Sequence, residues 1–221
     1  MSAGIGSYIE TRTAKDPVRG GAIEHQGKLP YYKSVGAVVT ENLQAGRGGA
    51  CTEYFSAYDN EAVKITQLQN VRAVVEARNR DIHFAMLVNR WMGKKVARDE
   101  QIFFFNCYTA PDLHKKLFSS DMDGFEKLYL KYEQDESFKK TYISARELIV
   151  ANALTQSHEV GTLYFTVIDE MNRHTPFMTD YEPIHSSNLC TETGLPTQAF
   201  RHMTDLYTTE DDGYVTFKDA Y

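Results

Sequence analysis

Cysteine is scarce in this chain of 221 residues, and its few copies are far apart. No C-x-x-C pair occurs and the number of cysteines is odd, which favours a reducing compartment over a disulfide framework. The three are Cys51, Cys107 and Cys190. A zinc site built from Cys190 and nearby histidines would match no standard ligand spacing, so the sequence predicts no metal site.

The chain also lacks an excess of basic residues and long apolar runs. The chain has 30 acidic against 24 basic residues and a net charge of −6, so it offers no broad basic surface for nucleic acid. No apolar run approaches the roughly 18 residues that a membrane helix needs, and no basic segment followed by an apolar one opens the chain. We expect no membrane segment and a cytoplasmic location, in the host cytoplasm if the source is viral. With 42% hydrophobic residues, the chain has the composition of one ordinary globular domain.

Apolar segments alternate with helical ones along the chain, which predicts an α/β fold with a parallel sheet. The predicted strands are residues 3–9, 50–57, 102–108 and 162–168, with the start of another at 214–217. We expect the third of these to be buried on both faces, with Cys107 as filler. The predicted helices are one that begins at Pro30, one from about Asn60, one whose apolar stripe runs from Phe84 to Met92 and which Lys94 and Lys95 close, and the stretch 111–158. The helix from Phe84 rests on apolar residues at i, i+3, i+4 and i+7.

A string near the C-terminal end places a thiol between an amide and a carboxylate. In an extended segment the side chains of Asn188, Cys190 and Glu192 would share one face, and Gly194 and Pro196 indicate a turn or loop after them. An amide that holds a substrate hydroxyl, a sulfur that reacts and a carboxylate that takes a proton would form a catalytic site. The alternative is a small buried cysteine beside residues that only make hydrogen bonds at a turn.

Two polar stretches have the composition of phosphate-binding loops. Residues 10–27 carry Arg12 and Arg19, whose guanidinium groups could hold phosphates together with exposed backbone N–H groups. Residues 42–49 are rich in glycine, and Gln44 and Arg47 could bind a base or a phosphate. The alternatives are a solvated loop for the first stretch and a helix C-cap followed by a turn for the second.

The string Ser187–Glu192 resembles the finger loop in the active site of the catalytic α subunit of class I ribonucleotide reductase. Other stretches agree with that family in the same order, so that the resemblance spans essentially the whole chain. They are Ala3–Gly6, Pro17–Gly21, Gly46–Ala50, Phe125–Glu133, and Gly161–Tyr164 followed by Asn172. The resemblance covers only the middle of the family's catalytic subunit.

The resemblance implies a fold and a reaction. Residues 1–221 would form part of the ten-stranded α/β barrel of ribonucleotide reductase, with effector loops at 7–28 and 42–49 and the finger loop at 184–197. Cys190 would become a transient thiyl radical that abstracts the 3′ hydrogen of a ribonucleoside diphosphate. Glu192 would take the 3′-hydroxyl proton and Asn188 would hold the sugar. The substrate-binding residues would be Gly4, Ser187, Asn188 and Glu192.

The resemblance also implies effectors and partners. The effector would be a deoxynucleoside triphosphate or ATP, bound by Arg12, Arg19, Gln44 and Arg47. No cofactor would lie in this chain, because a metal-containing β subunit supplies the radical. Further partners would be complementary α-subunit fragments, and thioredoxin or glutaredoxin acting through a C-terminal tail that this chain lacks.

Some of the family's machinery has no match in this sequence. Cys51 and Cys107 do not match the pair of cysteines that reduces the substrate, and the tyrosines of the radical relay are missing. We therefore expect one piece of a split or truncated subunit, inactive as an isolated chain. Two other readings stay open: a nucleotide-binding or regulatory module without turnover, and an inactive remnant. Binding of a deoxynucleoside triphosphate to the isolated chain would separate them.

Overall fold

A computed structural model describes residues 4–41, 48–177, 183–196, 207–209 and 215–217. The strands of this part of the chain are β1 (Gly4–Tyr8), β2 (Pro17–Val18), β3 (Ile23–Glu24), β4 (Ala50–Ser56), β5 (His83–Val88), β6 (Gln101–Phe103), β7 (Tyr142–Ser144), β8 (Leu163–Val167), β9 (Tyr207–Thr209) and β10 (Val215–Phe217). The α-helices are α1 (Leu29–Glu41), α2 (Ala62–Thr66), α3 (Arg90–Ala97), α4 (Pro111–Leu117), α5 (Met122–Gln134), α6 (Thr155–Val160) and α7 (Ile168–Arg173). A π-helix, Glu147–Leu154, directly precedes α6, and short 3-10 helices form at Arg19–Gly21 and Val75–Ala77.

The main sheet contains four parallel strands in the order β1, β4, β5, β8. Gly6 of β1 pairs with Thr52 of β4, which pairs with His83 of β5. Because successive side chains of a strand point to opposite faces, Thr52 and Tyr54 share one face and Glu53 lies on the other. The predicted α/β class with a parallel sheet is confirmed.

Three of the predicted strands lie where the sequence places them. The ends of β1, β4 and β8 fall within one residue of the predicted bounds. The helix predicted to begin at Pro30 is α1, which starts one residue earlier at Leu29, so that the proline stands in the first turn. The strand predicted near the C-terminus is β10, which pairs antiparallel with β9.

The helix predicted across Phe84 to Met92 is wrong. Its first half is the strand β5, and only the second half belongs to a helix, α3. The boundary is Asn89, whose side chain accepts a hydrogen bond from the backbone N–H of Met92 and so caps α3. The apolar residues at helical spacing come from two different elements that both face the core.

The strand predicted at residues 102–108 is also wrong in extent and in partner. The strand ends at Phe103, and β6 pairs antiparallel with β7, outside the parallel sheet. Beyond it, the side chain of Asn106 accepts hydrogen bonds from the backbone N–H groups of Tyr108 and Thr109, which bends the chain into a turn. Cys107 therefore lies half-buried in a turn and does not fill a strand.

The region from residue 111 to 158 is helical only in part. The prediction fails at β7, where Tyr142–Ser144 pairs with Gln101–Phe103. An aromatic residue followed by a β-branched one suits a strand better than a helix. After β7 the chain enters the π-helix, where the side-chain amide of Asn152 donates to the carbonyl of Glu147 over 2.9 Å.

Aromatic residues of α5 join the helical layer to the core. Phe125 and Tyr129 are fully buried, as their spacing predicts. The ring of Tyr129 stacks on Phe103 with 4.3 Å between centroids, and its hydroxyl accepts a hydrogen bond from the backbone N–H of Phe103. This contact holds the short β6 strand against α5. None of the helices in the described ranges is long and apolar enough to cross a membrane.

Candidate active site

Strands β1 and β4 carry the segment at residues 184–196, which we call the finger. Gly6 lies so close to it that an added Cβ would sit 1.8 Å from the carbonyl oxygen of Ser187. On β4, Thr52 Oγ1 donates a hydrogen bond to the carbonyl of Leu189, and Tyr54 Oη donates to that of Asn188, each over 2.6 Å. The finger is therefore docked on the face of the sheet that presents Thr52 and Tyr54.

The end of the finger is a tight turn closed by the side chain of Asn188. Its Nδ2 donates to Glu192 Oε1 over 2.6 Å, and its Oδ1 accepts from the backbone N–H of Glu192 over 3.2 Å. Thr191 adopts the left-handed conformation, with φ of 66°. The extended geometry expected from the sequence is wrong, yet Asn188 and Glu192 do meet, because the turn brings residues i and i+4 together. Cys190 lies between them and is exposed.

The other predicted substrate contacts also lie on the finger or against it. Ser187 is buried, and its hydroxyl donates to the carbonyl of Thr193 over 2.7 Å and accepts from its N–H over 3.1 Å. Gly4 is exposed on β1, and an added Cβ there would sit 2.8 Å from Leu189 Cδ2. Gly4, Ser187, Asn188 and Glu192 are thus brought together, although the hydroxyl of Ser187 already serves the finger's own backbone.

The start of the finger is fixed by a residue to which the sequence analysis gave no role. Asn172 of α7 is buried and forms two hydrogen bonds with the backbone of Ile184. Its Nδ2 donates to the carbonyl over 2.9 Å, and its Oδ1 accepts from the N–H over 2.7 Å. The amide side chain thus pairs with Ile184 as a neighbouring strand would.

An aromatic cluster lies below the start of the finger. The ring of His185 stacks on Tyr8, with 6.3 Å between centroids, and contacts Phe118 at 4.3 Å. The Tyr8 hydroxyl lies 2.7 Å from Nε2 of His114. Burial, with the nearby positive groups of Lys28 and His185, lowers the pKa of His114 to about 3, so that its ring is neutral at physiological pH.

Two tyrosines of the sheet lie within electrostatic reach of the thiol. Burial raises the pKa of Tyr54 to about 12, and negative charge on Glu192 and Cys190 adds to that shift. Burial also raises the pKa of Tyr164, again with a contribution from Cys190. The Tyr164 hydroxyl lies 2.8 Å from Nδ1 of His83. Both phenols stay protonated at neutral pH and can donate hydrogen bonds.

The first predicted effector loop, residues 7–28, borders a cavity of about 460 Å³. The guanidinium of Arg12 lies over the ring of Tyr108, with Cζ 4.2 Å from the centroid, which is a cation–π contact. Arg19 is exposed, has φ of 51° and does not line this cavity. The lining residues are Thr11, Arg12, Val18, His25, Cys107 and Tyr108.

Buried carboxylates hold this loop in place. Asp16 Oδ2 accepts hydrogen bonds from the N–H and hydroxyl of Thr13 and from Nδ2 of Asn106, over 2.7 to 3.0 Å. Glu61 Oε2 accepts from the backbone N–H groups of Ala14 and Lys28. The loop is thereby tied both to the segment between β4 and α2, which carries Glu61, and to the turn after β6, which carries Asn106.

The remaining predicted effector residues, Gln44 and Arg47, lie outside the described residues. In the ranges that are described, no group of three or more histidine, cysteine, aspartate or glutamate side chains could hold a metal ion.

Comparison with known proteins places these features in a family. The family model for the barrel domain of ribonucleotide reductase matches residues 1–205. The chain is 34% identical over 205 residues to the ribonucleoside-diphosphate reductase α subunit of Haemophilus influenzae, a match that covers 92% of this chain and 27% of the relative. It is 34% identical over 198 residues to the ribonucleoside-diphosphate reductase 1 α subunit of Escherichia coli K12, a match that covers 89% of this chain and 26% of the relative. It is 32% identical over 198 residues to the α subunit of Enterobacteria phage T4, a match that covers 88% of this chain and 26% of the relative.

The chain spans about a quarter of the length of the curated relatives that it matches. The matched region includes the glycines of β1, the finger, and the strand β4 on which the finger is docked. The resemblance seen in the sequence is confirmed, and the chain belongs to the ribonucleotide reductase barrel-domain family.

Proposed function

We propose that this chain is part of the catalytic α subunit of a ribonucleoside-diphosphate reductase and that Cys190 is its hydrogen-abstracting thiol. One observation carries the proposal: the amide of Asn188 and the carboxylate of Glu192 are hydrogen-bonded to each other on either side of Cys190, at the end of a docked finger. The names of the relatives, which are α subunits of this reductase, support the reaction.

In the proposed reaction, the Cys190 thiyl takes the hydrogen atom from C3′ of a ribonucleoside diphosphate, which forms an S–H bond and leaves a carbon radical. Glu192 accepts the 3′-hydroxyl proton. A dithiol becomes a disulfide and gives two electrons and two protons, of which one proton leaves with the 2′-hydroxyl as water and the other forms the new C2′–H bond. Glu192 then returns its proton to the 3′ oxygen and the hydrogen atom returns from Cys190 to C3′, which yields the deoxyribonucleotide and regenerates the thiyl.

The chain's own residues have separate tasks in this scheme. Asn188 orients both the Glu192 carboxylate and the sugar, and Gly4 and Ser187 border the sugar's position. Cys51 is a poor candidate for the reducing dithiol, because it is buried and β4 alternation places it on the face of the sheet away from the finger.

We further propose that the activity requires other chains. A metal-containing β subunit would generate the radical, complementary α-subunit fragments would supply the dithiol, and thioredoxin or glutaredoxin would reduce it through a C-terminal tail. The protein would act in the cytoplasm, where thiols stay reduced.

Cys190→Ser tests the catalytic proposal. In an assembly of this chain with complementary fragments and a β subunit, we expect deoxynucleotide production to vanish, because a hydroxyl does not yield an oxygen radical under conditions that yield a thiyl. Since Cys190 is exposed, the free energy of unfolding should change by less than about 0.5 kcal/mol. Lys139→Ala, at an exposed residue between α5 and β7, is the control and should retain turnover. A Cys190→Ser assembly with a near wild-type rate would contradict the proposal.

We also propose that a deoxynucleoside triphosphate or ATP binds to loop 7–28 with the help of residues 42–49 and regulates the reaction. The support is the open cavity beside Arg12 and the fixed shape of the loop around Asp16. Arg12→Ala should weaken nucleotide binding about tenfold or more in calorimetry, since a charge-assisted bond to phosphate is worth about 1.5 to 3 kcal/mol. Arg72→Ala removes an exposed arginine elsewhere and should leave binding unchanged.

Two alternatives remain, a regulatory module without turnover, which the same loop favours, and an inactive remnant. A complete assembly that bound nucleotide but made no deoxynucleotide would replace the catalytic proposal by the first, and one that did neither would replace it by the second.

A further inference from the structure

We infer that Tyr54 and Thr52 are positioning residues that fix the backbone of the finger and thereby place Cys190 over the sheet. The inference rests on the proposed function for its catalytic meaning, and on the geometry of β4 for the contact itself. Both hydroxyls point from the same face of one strand to two consecutive carbonyls of the finger.

The two contacts act on the peptide units that lead to the thiol. The carbonyl of Leu189 belongs to the same planar peptide unit as the backbone nitrogen of Cys190, so the bond from Thr52 fixes the plane to which the Cys190 Cα is attached. The bond from Tyr54 fixes the preceding plane, between Asn188 and Leu189. With both planes held, little rotation remains between the strand and the cysteine.

The two donors are themselves held rigidly. Thr52 and Tyr54 have no exposed surface, and both lie in a central strand with parallel neighbours on each side. A tyrosine has only two side-chain rotations, and the phenol stays protonated because burial raises its pKa. Removing either hydroxyl would leave a finger carbonyl without its donor at a buried position.

On its other side, the finger lies directly against β1, and no space is left between them. At Gly6, an added Cβ would overlap the carbonyl of Ser187, so β1 and the finger already touch backbone to backbone. The finger is therefore held between a strand that permits close approach and a strand that donates two hydrogen bonds. Tyr164 offers a matched comparison, since it also belongs to the sheet and lies within electrostatic reach of Cys190, but its hydroxyl pairs with His83.

Amide hydrogen exchange on the 221-residue chain tests the inference without any need for activity. The reporters are the amides of Glu192 and Thr193, which donate to side chains of the finger itself. Tyr54→Phe and Thr52→Val should each speed exchange at these amides about tenfold, and the double variant about a hundredfold, because each loses one hydrogen bond of about 1 kcal/mol or slightly more.

Two variants separate positioning from general destabilisation. Thr52→Ser keeps the hydroxyl and should restore slow exchange at the finger, whereas Thr52→Val should not. Tyr164→Phe removes a hydroxyl of the same sheet and should leave the finger amides unchanged. Unchanged finger exchange in Thr52→Val, or finger exchange in Tyr164→Phe accelerated as much as in Thr52→Val, would overturn the inference, even if Tyr54→Phe failed to fold.

Turnover of the assembled enzyme gives the second readout. A misplaced thiol lowers the rate of hydrogen abstraction more than it weakens substrate binding, so kcat should fall about tenfold or more in Tyr54→Phe while KM stays within about twofold. A variant with fast finger exchange and an unchanged kcat would overturn the positioning of Cys190. If the wild-type assembly has no turnover, the proposed function fails, while the exchange experiment still decides whether β4 anchors the finger.

Discussion

Buried polar groups are fully hydrogen-bonded on one face of β4 and only partly hydrogen-bonded on the other. Toward the finger, Thr52 and Tyr54 each give their hydroxyl to a backbone carbonyl, so donor and acceptor are both paired. On the other face, Glu53 accepts a hydrogen bond from Ser7 through Oε1, and its Oε2 is buried with no partner among the described residues. One strand therefore carries a fully paired polar face and a partly unpaired one.

The difference shows where burial limits ionisation. Burial raises the pKa of Glu53 to about 7, with Ser7, Cys51 and Lys28 opposing the shift only in part. Burial likewise raises the pKa of Cys51 to about 11. The face of β4 that carries Cys51 and Glu53, which we call the rear face, thus favours uncharged groups, and ionisation of Glu53 lowers the stability of the fold. The finger-facing side instead gains hydrogen bonds that do not depend on pH.

The largest expected effect comes from Gly6→Ala, which would disrupt the finger-facing side. The new Cβ would meet the carbonyl of Ser187 at 1.8 Å, so β1 and the finger must move apart. We expect a loss of about 3 kcal/mol, at the upper end of the usual cost of overpacking. Chemical denaturation measures the loss.

Gly93→Ala is the control for that substitution. Gly93 is exposed in α3, and an added Cβ there has nothing within 4 Å. Alanine should stabilise the helix by up to about 1 kcal/mol. If Gly6→Ala were as stable as wild type, the close contact between β1 and the finger would be disproved.

The next effect concerns the rear face and its pH dependence. In the folded protein Glu53 has a pKa of about 7, above its ordinary value of 4.5, so the folded state binds the extra proton between these values. The contribution of Glu53 to stability is therefore least unfavourable below pH 4.5, worsens as pH rises to about 7, and stays unfavourable above it. Glu53→Gln should abolish this contribution and stabilise the protein by about 2 kcal/mol at pH 8.

Glu136→Gln supplies the matched control, because Glu136 is exposed. Unfolding free energies of the three proteins, measured from pH 4 to pH 8, should differ in slope only for Glu53→Gln. A slope equal to wild type in that variant would show that Glu53 ionises normally in the folded state.

The smallest effect compares the thiols of the two sides. Cys190 is exposed on the finger, whereas Cys51 is buried behind β4 and its thiol resists ionisation. An alkylating reagent should label Cys190 first, the half-buried Cys107 more slowly, and Cys51 only when the protein unfolds. Mass spectrometry of labelled peptides gives the order, and rapid labelling of Cys51 in the folded protein would refute the burial of the rear face.

The sequence predicts part of this arrangement well. The strand β8 is a short apolar run, whereas β1 and β4 mix apolar with small and polar residues, and all three begin at or shortly after a glycine that is visible in the sequence. The string around Cys190 is likewise visible, because it agrees with a known family. The assignments of Arg12, Arg19 and the finger residues to ligands stay predictions.

The failures have a common physical cause, which is that side-chain spacing does not report where an element ends. Phe84 and Trp91 both face the core, yet a strand carries the first and a helix the second, and only the cap at Asn89 marks the change. The turn at Asn106 ends β6 in a similar way, by a side chain that captures backbone N–H groups. Polar residues that terminate elements were weaker signals than the apolar runs around them.

The anchors of the finger were missed for a different reason. Thr52 and Tyr54 act on backbone groups more than a hundred residues away, and Asn172 acts on one that lies 12 residues away. No local pattern encodes such partners. The alternation of polar residues in the predicted strand 50–57 was the one available signal, since Thr52 and Tyr54 must share a face.

The pairing of Asn172 with Ile184 has a consequence for how this protein can vary. A single side chain of α7 satisfies both the N–H and the carbonyl of Ile184, so two backbone groups at the start of the finger depend on one amide. Alanine at this position would deprive both groups of this partner at once, and an aspartate would keep only the acceptor. Asn172 is therefore the residue that engineered variants of this region must preserve.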